Sequence, residues 1–180
     1  MKQTSRAAIA ALLIVGGFCA YASEVPVEIQ MPLLATIWKL DRNFKVDGGA
    51  VTVAILYQES NRASAAARDA VTKWLLGKSL GVVSIPIDRT GNVDSLRVLD
   101  ADVFYVTTMR GVDIDTIAAI ARARQIRTMA ASPEYVRLGL NVAIGTRNDR
   151  PLVVINLEAA RAEGAAYQAQ LLQLAEIVKR

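Results

Sequence analysis

Four short apolar runs, rich in β-branched residues, recur through the middle of the chain: AVTVAILYQ at 50–58, LGVVSIPI at 80–87, DVFYVT at 102–107 and IRTMAAS at 126–132. They are largely continuous rather than alternating apolar and polar, so each suits a strand covered on both faces. The stretches between them, NRASAAARDAVTKWLLGK, NVDSLRVLD and DIDTIAAIARARQ, are helical by composition and spacing. Ser60 or Asn61 can cap the first of these and Asp113 the third. Strands and helices in alternation predict a parallel sheet with right-handed crossovers.

The flanks extend this pattern. In EIQMPLLATIWKLDRNF, Ile29, Leu33, Ile37 and Leu40 share one helical face with Leu34 and Trp38 beside it. Proline is tolerated in a first turn, so Pro32 predicts a regular helix from near Met31. Further on, SPEYVRLG reads as a helical turn with Ser132 at its cap and Pro133 at the first position. LNVAIGTRNDRPLVVINL then reads as two strands, 141–146 and 151–155, joined by the polar turn 147–150, which predicts an antiparallel hairpin at one sheet edge. Asn156 is placed to cap the helix that follows, and Gly164 to close it. From there Tyr167, Leu171, Leu174 and Val178 fall at i, i+4, i+7 and i+11, the spacing of one apolar stripe on a final helix. No internal repeat or linker interrupts the chain. The expectation is a single-domain three-layer α/β sandwich, with a mostly parallel sheet and an antiparallel C-terminal hairpin.

The first residues carry Lys2 and Arg6, an apolar run and the triplet Ala20-Tyr21-Ala22, which is the layout of a secretory signal peptide. Its apolar run is too short for a membrane span, which needs roughly 20 residues. Cleavage after Ala22 makes 1–22 the signal and 23–180 the domain. A lipid anchor on Cys19 fits less well, because Phe18 stands where a small residue is required. Cleavage would remove Cys19, the only cysteine, and the chain has no histidine. Cys/His zinc sites, thiol nucleophiles, disulfides and His-based triads are thereby excluded. Losing Lys2 and Arg6 from 21 basic residues leaves 19 against 17 acidic, a net charge of +2. The one basic stretch, RARQIR at 122–127, sits at a predicted helix end, where cations suit the dipole. No nucleic-acid partner is expected.

The C-terminal stretch VVINLEAARAEGAAYQAQLLQLAEIV resembles the terminal signature of the YfiR-like family through Asn156, Leu157, Ala159, Ala160, Gly164, Leu171, Leu172, Leu174 and Ala175. LLATIWKLDRNF, DVFYVT and LGLNVAIGTRNDRPLVVIN are similar to the family's first helix, central strand and final hairpin, so the resemblance covers most of 33–178. It implies a periplasmic regulator that binds the periplasmic domain of an inner-membrane signalling protein, and no catalytic residues, metal or cofactor. The family's best-known partner type is a diguanylate cyclase, held inactive, which would place the chain in cyclic-di-GMP signalling. Because cleavage would leave no cysteine, disulfide-based redox control is not expected here. The partner's identity stays open between a cyclase, a sensor kinase and a chemoreceptor-like protein, as do a homodimer and the direction of regulation. Exposed positions of the first helix are one candidate contact surface; Trp38 there reads more readily as core than as interface.

A periplasmic small-molecule or solute-binding protein is the second reading, because parallel sheets hold ligands beyond the carboxyl ends of their strands. Tyr57, Ser60, Asn61, Thr107, Thr108, Arg110, Ser132 and Tyr135 would form that rim, for ligand or partner. The length allows one lobe rather than the two of a full solute receptor. An enzyme is the third reading. Glu59, Asp88, Asp100 and Asp102 fall singly at predicted strand ends, where carboxylates are commonly just solvated. Intact-mass measurement of protein recovered from the periplasm is expected to show a chain beginning at Ser23; a full-length or lipid-bearing mass would contradict the cleavage.

Overall fold

The computed structural model describes residues 25–44, 51–78, 80–88 and 93–178. The expected signal peptide, 1–22, lies outside the described residues. Five strands run parallel: β1 (Thr52–Tyr57), β2 (Gly81–Pro86), β3 (Val103–Val106), β4 (Arg127–Ala130) and β5 (Val142–Arg147). The reversed strand β6 (Arg150–Asn156) pairs antiparallel with β5, and the short β7 (Glu176–Val178) pairs parallel with β6. Sheet order is β2-β1-β3-β4-β5-β6-β7. The sheet is therefore mostly parallel with one antiparallel pair, as the alternating pattern requires.

Two apolar layers sandwich it. On one face α1 (Val27–Lys39), α2 (Arg62–Leu76) and α6 (Ala169–Leu174) bring Met31, Leu34, Ile37, Val71, Leu75 and Leu171 onto Val53, Ile55, Val103, Tyr105, Val142, Ile144 and Ile155. On the other, a 3-10 turn (Asp94–Arg97), α3 (Ile114–Arg124) and α4 (Pro133–Arg137) bring Leu96, Ile117, Ala121, Tyr135 and Val136 onto Leu56, Phe104, Val106, Ala130, Ala143 and Val154. α5 (Leu157–Ala162) lies beside α3. Gly145, inside β5, answers to a close approach: a Cβ there would stand 2.8 Å from Pro133 Cγ of α4.

Three details depart from the expectation. First, α1 starts at Val27, with Pro26 at its cap and Pro32 inside it. Gln30 and Met31 are sealed in the core, and that burial outweighs the one backbone bond an interior proline removes. The buried stripe is consequently Gln30, Met31, Leu34, Ile37 and Trp38, while Ile29 is 45% exposed. Trp38 is core, stacked on Phe44 with ring centroids 5.8 Å apart.

Second, the expected final helix is two elements. α6 stops at Leu174 because Ala175 turns extended (φ −91°, ψ 150°), and Ile177 then pairs with Ile155 as part of β7. The open side of β6 offers ladder partners to a β-branched segment, and this outweighs helical spacing. Leu174 is left 72% exposed. Third, β7 makes the hairpin next-to-last in the sheet rather than its edge. The hairpin turn itself is tight, with Asn148 and Asp149 both at positive φ (50° and 58°), as a two-residue turn matched to strand twist demands.

The opposite edge is β2. Gly81 and Ile87 N–H donate to Val51 and Tyr57 carbonyls on the β1 side, so by alternation the nitrogens of Val82, Ser84 and Pro86 face outward. Pro86 has no hydrogen there to offer.

Asn156 caps α5: its Oδ1 accepts from Ala159 N at 3.0 Å and its Nδ2 donates to Val136 O at 3.2 Å. Urea melts should show Leu171→Ala losing about 2–5 kcal/mol, as for a buried leucine, and Asn156→Ala losing about 0.5–2 kcal/mol, as for a cap. Unchanged stability in the second variant would contradict the cap.

Candidate functional site

The parallel strands end together on one rim, and the chain order reverses there between β1 and β3, the place where open α/β sheets hold ligands. Fixed polar groups build this rim. Gln58, just beyond β1, crosses to the loop after β3: its Oε1 accepts from Arg110 N at 2.9 Å and its Nε2 donates to Arg110 O at 3.0 Å. Asn61 caps α2 through Ala63 N and donates to Thr108 O at 3.2 Å. Beneath them Thr107 Oγ1 donates to Leu56 O at 2.9 Å, so Ser64 Oγ, 2.6 Å away, donates to Thr107 and accepts from Gln58 N at 2.8 Å. The first turn of α2 is thus bolted to the ends of β1 and β3.

Of the rim residues expected from sequence, Ser60, Asn61 and Arg110 come together with Gln58 and Arg62 around an open cleft of about 590 Å³. Thr108 and Ser132 line a neighbouring hollow of about 680 Å³. There Arg137 meets Glu176 at 3.2 Å, and Arg147 meets the same carboxylate. Thr107 is buried. Tyr57 is buried under the Arg68 guanidinium, 4.5 Å from the ring centroid. Tyr135 is buried too, and its hydroxyl accepts from Met109 N and donates to Met109 O, both at 2.8 Å. These last two hold the rim from below. Gln58 carries no sequence signal beyond its place after a strand. In chemical terms the cleft is lined by a hydroxyl, two amides and two guanidinium groups, a set suited to acidic or polar groups. Among the described residues no group of three or more His, Cys, Asp and Glu is placed to hold a metal.

At the opposite end of the sheet lies a second polar cluster, where the C-terminal segment around Gly164 meets the starts of β4 and β5 and the end of α1. Glu163, fully buried, accepts from Thr128 N at 2.8 Å, Thr128 Oγ1 at 2.6 Å and Asn141 Nδ2 at 2.9 Å. Burial pushes its carboxyl up to about 7 against these hydrogen bonds and the nearby Arg122 charge. Tyr167 donates to Asn141 Oδ1 at 2.9 Å, and burial raises its hydroxyl far above the usual range. Asp41, after α1, accepts from Ala166 N at 2.8 Å and from Arg127 Nε at 3.3 Å, while Arg127 Nη2 and Asn43 Nδ2 both donate to Gly164 O. Gly164 makes that approach at φ +80°. Within the motif Ala160 and Leu171 are buried, while Leu157, Leu172 and Ala175 are half-buried against α1, α2 and the sheet.

An open, mostly parallel sheet covered by helices on both faces, with a polar switch-point rim, defines an α/β fold. The solved structures bear this out at the level of fold. The chain is similar to the ligand-free, open structure of CD0873, a substrate binding protein with adhesive properties from Clostridium difficile (TM-score 0.69, 19% identity, 86% of this chain and 60% of that one). It is similar also to the ABC domain in complex with L-Trp from Streptococcus pneumonia (TM-score 0.67, 14% identity, 85% and 60%). A third likeness is to a conserved domain protein from Vibrio cholerae (TM-score 0.63, 12% identity, 83% and 58%). The chain spans about 60% of the length of these proteins.

The sequence matches the YfiR/HmsC-like family over residues 48–176, and the chain belongs to that family. This family is periplasmic, regulatory and non-catalytic. No curated protein matches the chain in sequence. Among the described residues no helix is long and apolar enough to cross a membrane. Removing the hydroxyl in Tyr135→Phe leaves Met109 N–H buried without an acceptor, and chemical denaturation should report a loss of about 1–3 kcal/mol.

Proposed function

We propose that this protein is a non-catalytic periplasmic regulator that binds the periplasmic domain of an inner-membrane signalling protein, a diguanylate cyclase or a sensor kinase, and modulates its output. The observation that carries the reading is the YfiR/HmsC-like match, which runs from 48 to 176 and takes in strands β1 to β6 and the first residue of β7. Regulation is a population shift: the protein binds one state of its target more tightly and thereby favours it. The rim of Ser60, Asn61, Thr108, Arg110 and Ser132 is the contact surface this reading selects. Its backbone is held in place by Gln58, Ser64 and Tyr135, so binding costs little ordering.

The second reading is capture of a small polar solute in the same cleft, favoured by the likeness to substrate-binding folds. Gene deletion is expected to change the output of one membrane signalling protein, and the purified protein is expected to bind that protein's periplasmic domain. Arg110→Glu should weaken that binding at least tenfold, about 1.4 kcal/mol. Tight retention of a small solute, with no change in second-messenger or phosphorylation output on deletion, would replace the first reading with the second.

A further inference from the structure

Glu163 is a buried carboxylate without an ion pair among the described residues. Every group bonded to it is a donor from the start of β4 or from the residue before β5. The residues after it are fastened to the same end of the sheet. Gly164 O receives Arg127 and Asn43, Ala166 N reaches Asp41, and Tyr167 donates to Asn141. We propose that Glu163 is the proton-binding group of a latch that fastens the segment after α5 to β4, β5 and the end of α1, and that pH across the neutral range sets the strength of that latch.

The geometry supplies two states. When Glu163 is ionised, all three donors are satisfied, but a negative charge is held out of water, which costs stability wherever no cation pairs with it. When it takes up a proton, the hydrogen has one place to go. Oε2 faces two nitrogens that only donate, whereas Oε1 faces the Thr128 hydroxyl, which can turn and accept. Uptake therefore reverses one hydrogen bond and removes the charge. Thr128 Oγ1 also accepts from Asn141 N, at 2.8 Å, and Asn141 in turn holds Tyr167. The reversed bond thus shares Thr128 with Asn141, whose N–H donates in both states, and Asn141 joins it to the segment bridged to Asp41.

The charged groups around the cluster are Arg122 on α3, Arg127 at the start of β4 and Asp41 after α1, with Tyr167 the remaining titratable neighbour. Arg122 favours the ionised form of Glu163, yet burial outweighs it and lifts the carboxyl from 4.5 to about 7. A carboxyl raised on folding contributes its full stability below its unfolded value and loses it as pH rises through the folded one. Acidification from neutral therefore tightens the latch and alkalinisation loosens it. A periplasmic protein meets that range, because its compartment follows the medium.

The test uses the full chain labelled with 13C at the glutamate carboxyls and titrated from about pH 5 to 9, with the Glu163 resonance identified by its absence from Glu163→Gln. The expected midpoint is near 7, with the amide resonances of Thr128, Asn141 and Ala166 moving at the same midpoint. In parallel urea melts, the folding constant of the wild type relative to Glu163→Gln should fall by up to about tenfold per pH unit between about 5 and 7, then level off. Should Glu163→Gln fail to fold, Thr128→Val identifies the resonance instead and shifts its midpoint upward by removing a donor. A midpoint below about 5, or one near 7 that leaves the Thr128 and Asn141 amides unmoved, overturns the proposal. Neither readout involves the regulated partner, so the latch and the proposed function stand or fall separately.

Discussion

Strand β3 carries four residues, Val103, Phe104, Tyr105 and Val106, all sealed from solvent. A strand buried on both faces forces the rest of the design: helices must cover each side, and polar work is pushed to the strand ends. Tyr105 shows how strict the requirement is. Its hydroxyl points into the apolar layer and is satisfied by Gln30 Oε1 of α1 at 2.9 Å, while Gln30 Nε2 donates to Ala131 O at 3.1 Å. The helix that precedes the matched family region is thus held by the sheet's own need for a buried partner.

The two ends of the sheet solve this problem differently. At the rim, backbone groups are tied by neutral amides and hydroxyls, and the charged side chains Arg62 and Arg110 are left facing solvent. At the other end the charges themselves are buried: Asp41 meets Arg127, and Glu163 meets only neutral donors. The first arrangement suits recognition of something outside the fold. The second suits internal fastening: it ties Glu163, Gly164 and Tyr167 of the C-terminal segment to Asp41, Arg127, Thr128 and Asn141 from earlier in the chain.

The apolar runs made the parallel core legible, because their β-branched content leaves few alternatives and three of the four lead into a helix with a capping residue. Asn61, Asp113, Ser132 and Asn156 all cap the helices they precede, since a cap depends on local geometry alone. What escaped was decided by distant partners. Leu174 and Val178 had helical spacing, but the open side of β6 drew the segment from 176 to 178 into the sheet. Pro32 read as a first-turn residue until the core claimed Gln30 and Met31. Gln58 and Glu163 gave no usable periodic signal, although a lone carboxylate among alanines in RAEGAAY is the kind of residue that earns inspection.

The sheet's two borders are both unsuited to extension. On β2, Pro86 removes one of three outward nitrogens; on β7 only three residues are paired, and Glu176 there is engaged by Arg137 and Arg147. A second chain finds little ladder to copy at either border. Growth of the ribbon into a continuous multi-chain sheet is thereby discouraged, which matters for a fold whose inner strands are almost wholly apolar. Among the described residues the sheet is seven strands wide, and its two borders give an added strand few backbone donors to pair with.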